Sequence, residues 1–295
     1  MLRKALSSEQ LVAQSPQCKT HNEVAQLFRN GVCVASFTIL EDFLRERIRE
    51  VLLKIASGPR SFDELPEKLQ EACTVGASNA ILKKYRRPSF SRAEKIMFVQ
   101  KGARLIASTL EPTYEISDCS LLANTSNVSA AELSKALNTL GVFDPWKHIE
   151  RLCKRVGVGV PSIKALYTAA LHRRHVAAHV PASNVNLPEL EAFSYTAIAI
   201  AIAVDCLLLQ SRDRLTLAST DELKPPFACA SSCLLRFLDQ QPDKKWKEKI
   251  ESGKRSTRVY ATEEDALNTA VARAKRRTEI LIVRDASKRP MHWHA

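Results

Sequence analysis

A cluster of ionisable side chains at residues 172–179 is the part of the sequence best suited to chemistry. His172, Arg173, Arg174, His175 and His179 lie next to apolar segments, where unpaired cations are costly to hold. An arginine binds a phosphate, and an imidazole titrates near neutral pH, so together they can cleave a phosphodiester without a metal. On an ideal helix Arg174 and His179 are about 140° apart, whereas the three histidines share one stripe. That stripe allows a second chemistry, the binding of a divalent metal through imidazole nitrogens.

The metal-binding alternative is the weaker of the two. A zinc hydrolase motif with two histidines four residues apart needs a glutamate directly after the first one, and Val176 stands there. No carboxylate is then available to activate a water molecule. The eight cysteines are scattered without a Cys-x-x-Cys pair, so a zinc ribbon is not expected either. We predict no metal and no cofactor.

The charge of the chain favours a polyanionic partner. The sequence has 44 Lys and Arg against 32 Asp and Glu, a formal net charge of +12, so nucleic acid is the first expectation. Scattered cysteines are typical of reduced cytosolic thiols, and the first residues form no apolar signal core. We expect a cytoplasmic protein without a membrane segment, in which the apolar stretch at 192–209 is a buried helix.

The composition and the helix signals predict an all-α domain over residues 1–217. Hydrophobic content of 45% with 6% aromatic residues and eight glycines is typical of a helical protein. Capping-box patterns begin at Thr20, Ser61, Ser91 and Ser129. With the apolar periodicity they predict helices over about 20–58, 62–84, 92–110, 129–141, 144–156, 161–179 and 187–217. Gly31 is a candidate break in the first of them.

The chain changes character after residue 217. Residues 218–241 are predicted as a linker with a short helix around Leu234–Leu238, and residues 242–295 as a small basic ββαβ domain. The fold class is therefore mainly α, a helical bundle followed by a small α+β domain. The predicted elements are strands over 246–250 and 255–261, a helix from Thr262 and a strand over 279–283. The segment His292–His294 is expected to be disordered, and the domain is either a structural appendage or an RNA reader.

The spacing Arg174-x4-His179, with Ala178 before the histidine, resembles the signature of HEPN ribonucleases, most closely the RiboL-PSP-HEPN branch. Two further segments are similar to that family. Residues 39–44 look like its early helix with a buried acidic position, and residues 127–142 look like the short helix that precedes the motif helix. The likeness covers roughly residues 20–215. One position departs, because the family most often has asparagine after the arginine and this chain has His175.

The resemblance implies metal-independent cleavage of RNA by its own 2′-hydroxyl. His179 would be the general base or acid, and Arg174 would bind the phosphate and stabilise its developing charge. His175 would act as a second imidazole or as a phosphate contact. Glu41 or Asp42 would orient one of these groups, although an acidic residue on a solvated helix face is an equal alternative for Glu41. The family pairs two motif helices across a dimer, which implies a homodimer with a composite site.

The resemblance also suggests a toxin-like role in bacterial stress or phage defence, restrained by an antitoxin or another regulatory partner. A non-enzymatic alternative is a basic helical module that binds RNA or forms a complex. RNA contacts are expected from basic residues interleaved with an aromatic ring, which hold phosphates and stack on a base. They are Lys83, Lys84, Tyr85, Arg86, Arg87 and, from the motif cluster, Arg173. A solvated helix end with cations that complement the helix dipole is an equal alternative for the first five.

Overall fold

The computed structural model describes residues 8–86, 91–122, 127–180, 182–217, 223–253 and 258–295. Its fold is mainly α, with helices followed by a sheet that carries a further helix. The helices are α1 (Lys19–Ala56), α2 (Glu67–Glu71), α3 (Ala77–Tyr85), α4 (Arg92–Ala107), α5 (Ala130–Thr139), α6 (Pro145–Val156), α7 (Ile163–His179), α8 (Leu187–Thr216) and α9 (Glu263–Arg276). The strands are β1 (Leu235–Gln240), β2 (Trp246–Ile250), β3 (Arg258–Tyr260), β4 (Ile280–Arg284) and β5 (Pro290–His294).

The chain forms two compact units, each assembled from separate segments. One contains the chain up to Glu41, Trp146–Cys206 and Ala230–Ala295. The other contains Asp42–Pro145 and Leu207–Cys229. The cationic cluster and the sheet therefore belong to the same unit. The domain boundaries placed at residues 217 and 242 stay a prediction.

Two of the predicted helices differ in detail. The first begins at Lys19, so Thr20 lies in its first turn and is not the N-cap, and the helix continues through Gly31 without a break. A single glycine costs a helix only about 1 kcal/mol, which a 38-residue helix tolerates. The helix expected over 62–84 is divided. A 3₁₀ turn at Phe62–Glu64 ends before Pro66, α2 begins after this proline, and Ala72–Gly76 is π-helical.

The sheet contains the predicted ββαβ unit and two further strands. The order is β3-β2-β1-β4-β5, and β1 pairs with β4 in parallel and with β2 in antiparallel. The helix predicted at Leu234–Leu238 is wrong, because β1 occupies Leu235–Gln240 at the centre of the sheet. Disorder at the C-terminal tail is also wrong, because β5 pairs with β4 there. A short apolar run such as that of β1 cannot be distinguished from a buried helix by periodicity alone.

Both faces of the sheet are covered within this unit. On one face Leu238, Trp246 and Leu281 pack against the alanines of α9. On the other, the Trp293 indole Nε1 donates to Asp205 of α8 at 2.7 Å, and the guanidinium of Arg289 lies 4.6 Å from the ring centre of Tyr195. The sheet is thus docked onto helix α8 through specific contacts.

Helix α8 is the one described helix whose length and apolar composition would suffice to cross a membrane. Within its most apolar window, 72% of the residues are buried inside the structure. Its residues from Ala199 to Leu208 are all buried. This burial agrees with the helix predicted for the protein core.

Candidate active site

Helix α7 presents its packing residues and its ionisable residues on different sides. The Ser162 hydroxyl caps its start by accepting from the Ala165 amide at 3.2 Å. Ile163, Tyr167 and Ala170 are buried at i, i+4 and i+7, a spacing that gives one stripe along the helix. The ring of Tyr167 lies in an aromatic cluster with rings from α1 and α6. The first half of α7 therefore anchors the helix, and its last two turns carry the polar cluster.

The two histidines of the predicted site are close together and exposed. His175 and His179 are one helical turn apart, and their ring centres are 4.7 Å apart with the planes tilted by 55°. His172 lies on the same side and is also exposed. The structure therefore places two accessible imidazoles side by side at the last turn of α7.

The structure does not bring Arg174 to this pair. Its side chain is half-buried, on the side of α7 that carries Tyr167 and Ala170, about 140° around the helix from His179. The buried Nε of Arg174 has no hydrogen-bond partner among the described residues. A buried donor on a cation without a partner is costly, and a phosphate oxygen would satisfy it.

Arg173 forms a link between helices. Its guanidinium contacts the Glu189 carboxylate at 3.5 Å, which joins α7 to the start of α8. Both groups also act on the nearby Cys33 thiol of α1. Burial is the main cause that raises the pKa of this thiol above its ordinary value, while Arg173 acts to lower it and Glu189 to raise it. The charge of Arg173 is thus partly balanced within the fold. Its predicted contact with RNA stays a prediction.

Polar residues of α1 that the sequence analysis did not identify hold the loop directly after His179. The Asn30 amide donates to Ser183, to the backbone oxygen at 2.8 Å and to the hydroxyl at 3.0 Å, and the Gln26 amide donates to the same backbone oxygen at 2.7 Å. Arg29 donates to the Val185 backbone oxygen at 2.9 Å. These residues position the end of the motif helix. The signal available in the sequence is that Arg29 falls four residues from the apolar positions on either side of it, Ala25 and Cys33.

Glu41 is buried, with 2% of its surface exposed, so the predicted buried acidic position is confirmed and the solvated alternative is wrong. It lies one turn beyond Phe37, whose ring packs on Tyr167, and Tyr167 is two turns before Arg174. Its proposed role in orienting Arg174 stays a prediction. Asp42 is exposed and pairs with the arginine three residues further on at 3.6 Å.

The predicted RNA contacts at the end of α3 belong to the second unit. Lys84 lies 3.5 Å from the Cys119 sulfur and above the Phe98 ring, and Tyr85 is 44% exposed with a lysine amine 5.7 Å from its ring centre. Lys83 and Arg86 are exposed at the same helix end, while Arg87 lies outside the described residues. These positions are accessible to a ligand, and their role stays a prediction.

The described residues contain no group of three or more His, Cys, Asp or Glu side chains placed to hold a metal. All eight cysteines are free thiols, and burial raises the pKa of Cys73 to about 12. The imidazole pair supplies two nitrogen ligands and lacks the third protein ligand of a catalytic zinc site.

A family model described as RiboL-PSP-HEPN matches residues 3–210, well over half of the chain. The matched range includes α1, α7 and most of α8, the helices that position the motif. Proteins with HEPN domains are generally ribonucleases or RNA-related proteins. Comparison with curated proteins and with solved structures gives no match. The family match and the helical fold around Arg174 and His179 show that the chain belongs to the RiboL-PSP-HEPN family.

Proposed function

We propose that the protein is an endoribonuclease that cleaves RNA without a metal ion. The observation that carries this proposal is the exposed imidazole pair, with ring centres 4.7 Å apart, at the end of a helix that also carries Arg174. Two imidazoles provide both proton-transfer groups that the reaction needs. The buried Nε of Arg174, for which the described residues provide no acceptor, supports a role for this cation in binding an oxyanion.

In the proposed reaction the 2′-oxygen of a ribose forms a bond to the adjacent phosphorus, and the bond from phosphorus to the 5′-oxygen breaks. One imidazole of the pair accepts the proton of the 2′-hydroxyl, and the other donates a proton to the departing 5′-oxygen. Arg174 stabilises the charge that develops on the non-bridging oxygens. The products are a 2′,3′-cyclic phosphate and a free 5′-hydroxyl.

The arrangement of α7 favours a site shared by two copies of the chain. Because Arg174 and His179 leave the helix on different sides, one copy directs them to different places. A two-fold axis near the end of α7 would allow the arginine of one copy to act with the imidazoles of the other. We therefore propose a homodimer with a composite site.

The shared site is tested by mixing Arg174→Ala protein with His179→Ala protein. A mixed dimer contains one site in which an intact arginine of one copy meets intact imidazoles of the other, so we expect RNA cleavage to return in the mixture. If the mixture cleaves no faster than its two components, or if the parent is a monomer by light scattering, the composite site is wrong.

The nuclease activity is tested on total RNA and tRNA in the presence of EDTA. We expect the parent to produce 2′,3′-cyclic phosphate ends, and Arg174→Ala and His179→Ala to lower the rate at least 100-fold, as expected for loss of electrostatic or acid–base catalysis. His172→Ala, which removes an exposed imidazole outside the pair, should keep the parent rate. Equal rates for all four proteins would refute the proposed active site.

A non-catalytic module that binds RNA or forms a complex is the second candidate. It is favoured by the separation of Arg174 from His179 within one chain and by the pairing of Arg173 with Glu189. In that case RNA would bind to the parent and stay intact. The toxin-like role and an antitoxin partner are proposed on family resemblance, and they require that expression of the parent in bacteria arrests growth while Arg174→Ala does not.

A further inference from the structure

The exposed imidazole pair on α7 has the spacing of a two-ligand metal site. We infer that His175 and His179 together bind a divalent transition-metal ion, and that the bound ion switches off the proposed nuclease. Both ligands lie on helix α7, and the binding does not require that the protein cleaves RNA. The inhibitory consequence rests on the proposed function.

The ring separation agrees with chelation of one ion by both side chains. A metal lies about 2.0–2.1 Å from an imidazole nitrogen, and hence about 3.2 Å from the ring centre. Ligand angles of about 90–109° at the ion then put the two ring centres roughly 4.5–5.2 Å apart. The observed separation of 4.7 Å falls inside this range, so the rings need only rotate about their own bonds.

The surroundings of the pair leave both imidazoles available. Both side chains are exposed, and among the described residues neither has a hydrogen bond or an ion pair. They occupy the last turn of α7, where the helix dipole favours a positive charge. Among the described residues, neither side chain has a hydrogen bond or ion pair that would have to be broken when an ion binds.

A second histidine pair, in the sheet, does not meet the same conditions. His292 and His294 in β5 have ring centres 5.4 Å apart, just beyond the chelating range, and both are half-buried. The Nε2 atom of His294 is buried inside the structure. This pair therefore serves as an internal comparison for the one on α7.

The chemistry of the ligands determines which ions can bind. Neutral imidazoles suit Cu²⁺, Ni²⁺ and Zn²⁺, with Cu²⁺ the strongest by the Irving–Williams order, whereas Mg²⁺ and Ca²⁺ prefer oxygen ligands. With two protein ligands, the ion keeps its remaining positions for water. The site is thus expected to be reversible and to release its ion to a chelator.

Occupancy removes the groups that the proposed reaction uses. A nitrogen lone pair that coordinates a metal cannot accept a proton from the 2′-hydroxyl. The inferred effect is therefore opposite in sign to that of a catalytic metal. Added Cu²⁺, Ni²⁺ or Zn²⁺ lowers the rate, Mg²⁺ leaves it unchanged, and EDTA restores it.

The binding is tested on the tag-free, metal-free full chain without RNA, by calorimetric titration with Ni²⁺. We expect one ion per chain on this site, and at least a tenfold loss of affinity in His175→Ala and in His179→Ala, because each leaves a single ligand. His172→Ala and His292→Ala should bind Ni²⁺ as the parent does. Titration with Mg²⁺ should give no binding.

Two results would overturn the inference. One is the absence of Ni²⁺ binding below millimolar concentration in the parent, and the other is a loss of affinity in His172→Ala or His292→Ala that equals the loss in His175→Ala. The nuclease assay is read separately. Ni²⁺ binding in a protein that never cleaves RNA would refute the proposed function and leave the metal site intact, and cleavage that Ni²⁺ does not inhibit would refute the inhibitory role.

Discussion

Arg29 gives the sharpest test of how the end of the motif helix is held. Its side chain is 6% exposed, and its three nitrogens donate to the backbone oxygens of Val185 and Leu11 at 2.9 and 2.7 Å and to the Asn184 side chain at 2.7 Å. It therefore ties α1 both to the loop after His179 and to the segment before α1. The substitution Arg29→Met keeps an unbranched stem, ends before the position of the guanidinium and removes all three donors.

The expected cost follows from the acceptors that are left behind. Val185 and Leu11 are buried, so their backbone oxygens lose a donor that water does not replace, at about 1–3 kcal/mol each. The Asn184 side chain is accessible to water, so the loss of its donor costs little. Part of the loss is offset because a cation no longer has to be buried. We expect Arg29→Met to lower the free energy of unfolding by about 3 kcal/mol.

The assay is urea unfolding followed by circular dichroism, combined with hydrogen exchange of the amides at 182–186. The matched control is Arg49→Met on the same helix, where the arginine contacts an exposed Glu46 and the pair is solvated. That variant should unfold as the parent does, because exposed ion pairs contribute little. If Arg29→Met is no less stable than Arg49→Met, and exchange at 182–186 is unchanged, the assigned role of Arg29 is wrong.

Three further predictions concern the rest of the chain. Arg236→Met should lower the free energy of unfolding, measured in urea, by about 3–5 kcal/mol, because it leaves the fully buried Glu248 with one cation fewer. If the loss is no larger than that caused by replacing a surface arginine, the buried network is contradicted. Trp293→Phe should cost about 2 kcal/mol by losing the bond to Asp205, and parental stability would show that β5 is not docked on α8. Alkylation followed by mass spectrometry should label the exposed Cys18 first, and equal labelling of the buried thiols would contradict the fold.

Local chemistry made most of the helices predictable. The capping boxes at Ser91 and Ser129 form as expected, with each serine hydroxyl accepting from the third amide of its helix and the glutamate reaching back to the serine amide. Both interactions lie within one turn, so the sequence contains all the partners. Thr20 has the same residue pattern but lies inside the first turn, because α1 starts at Lys19. A capping pattern thus locates a helix end only to within a residue or two.

The strand β1 could not be predicted from the sequence pattern. Its residues Leu235 to Asp239 are buried on both faces, so they lack the alternation by which a half-buried strand is identified. What makes this segment a strand is its pairing with β2 on one side and with β4, more than 40 residues later, on the other. Pairing over such a distance is a property of the folded chain. The strand β5, by contrast, pairs with β4 across the short connection at 285–289, so its pairing is local in sequence.

The candidate site was predictable in its residue types and less so in its geometry. The spacing of Arg174 and His179 identified the motif helix, and the helical wheel already placed them about 140° apart. The contacts of Arg29 and Asn30 with the loop after His179 depend on residues more than 150 positions apart in sequence. These contacts could have been anticipated, because polar residues inside the apolar stripe of α1 are expected to be buried donors.

The two halves of α7 are held in different ways, which explains why polar side chains of α1 are buried. Ile163, Tyr167 and Ala170 fix the first half of the helix by packing, but its last turns expose His175 and His179 and bury little apolar surface of their own. Such an end would fray without other support. Donors from α1 hold the following loop and so support the last turn of α7, while the His175 and His179 side chains remain exposed. A site built on an exposed helix end therefore depends on hydrogen bonds beneath it, and weakening those bonds should reduce activity and metal affinity together.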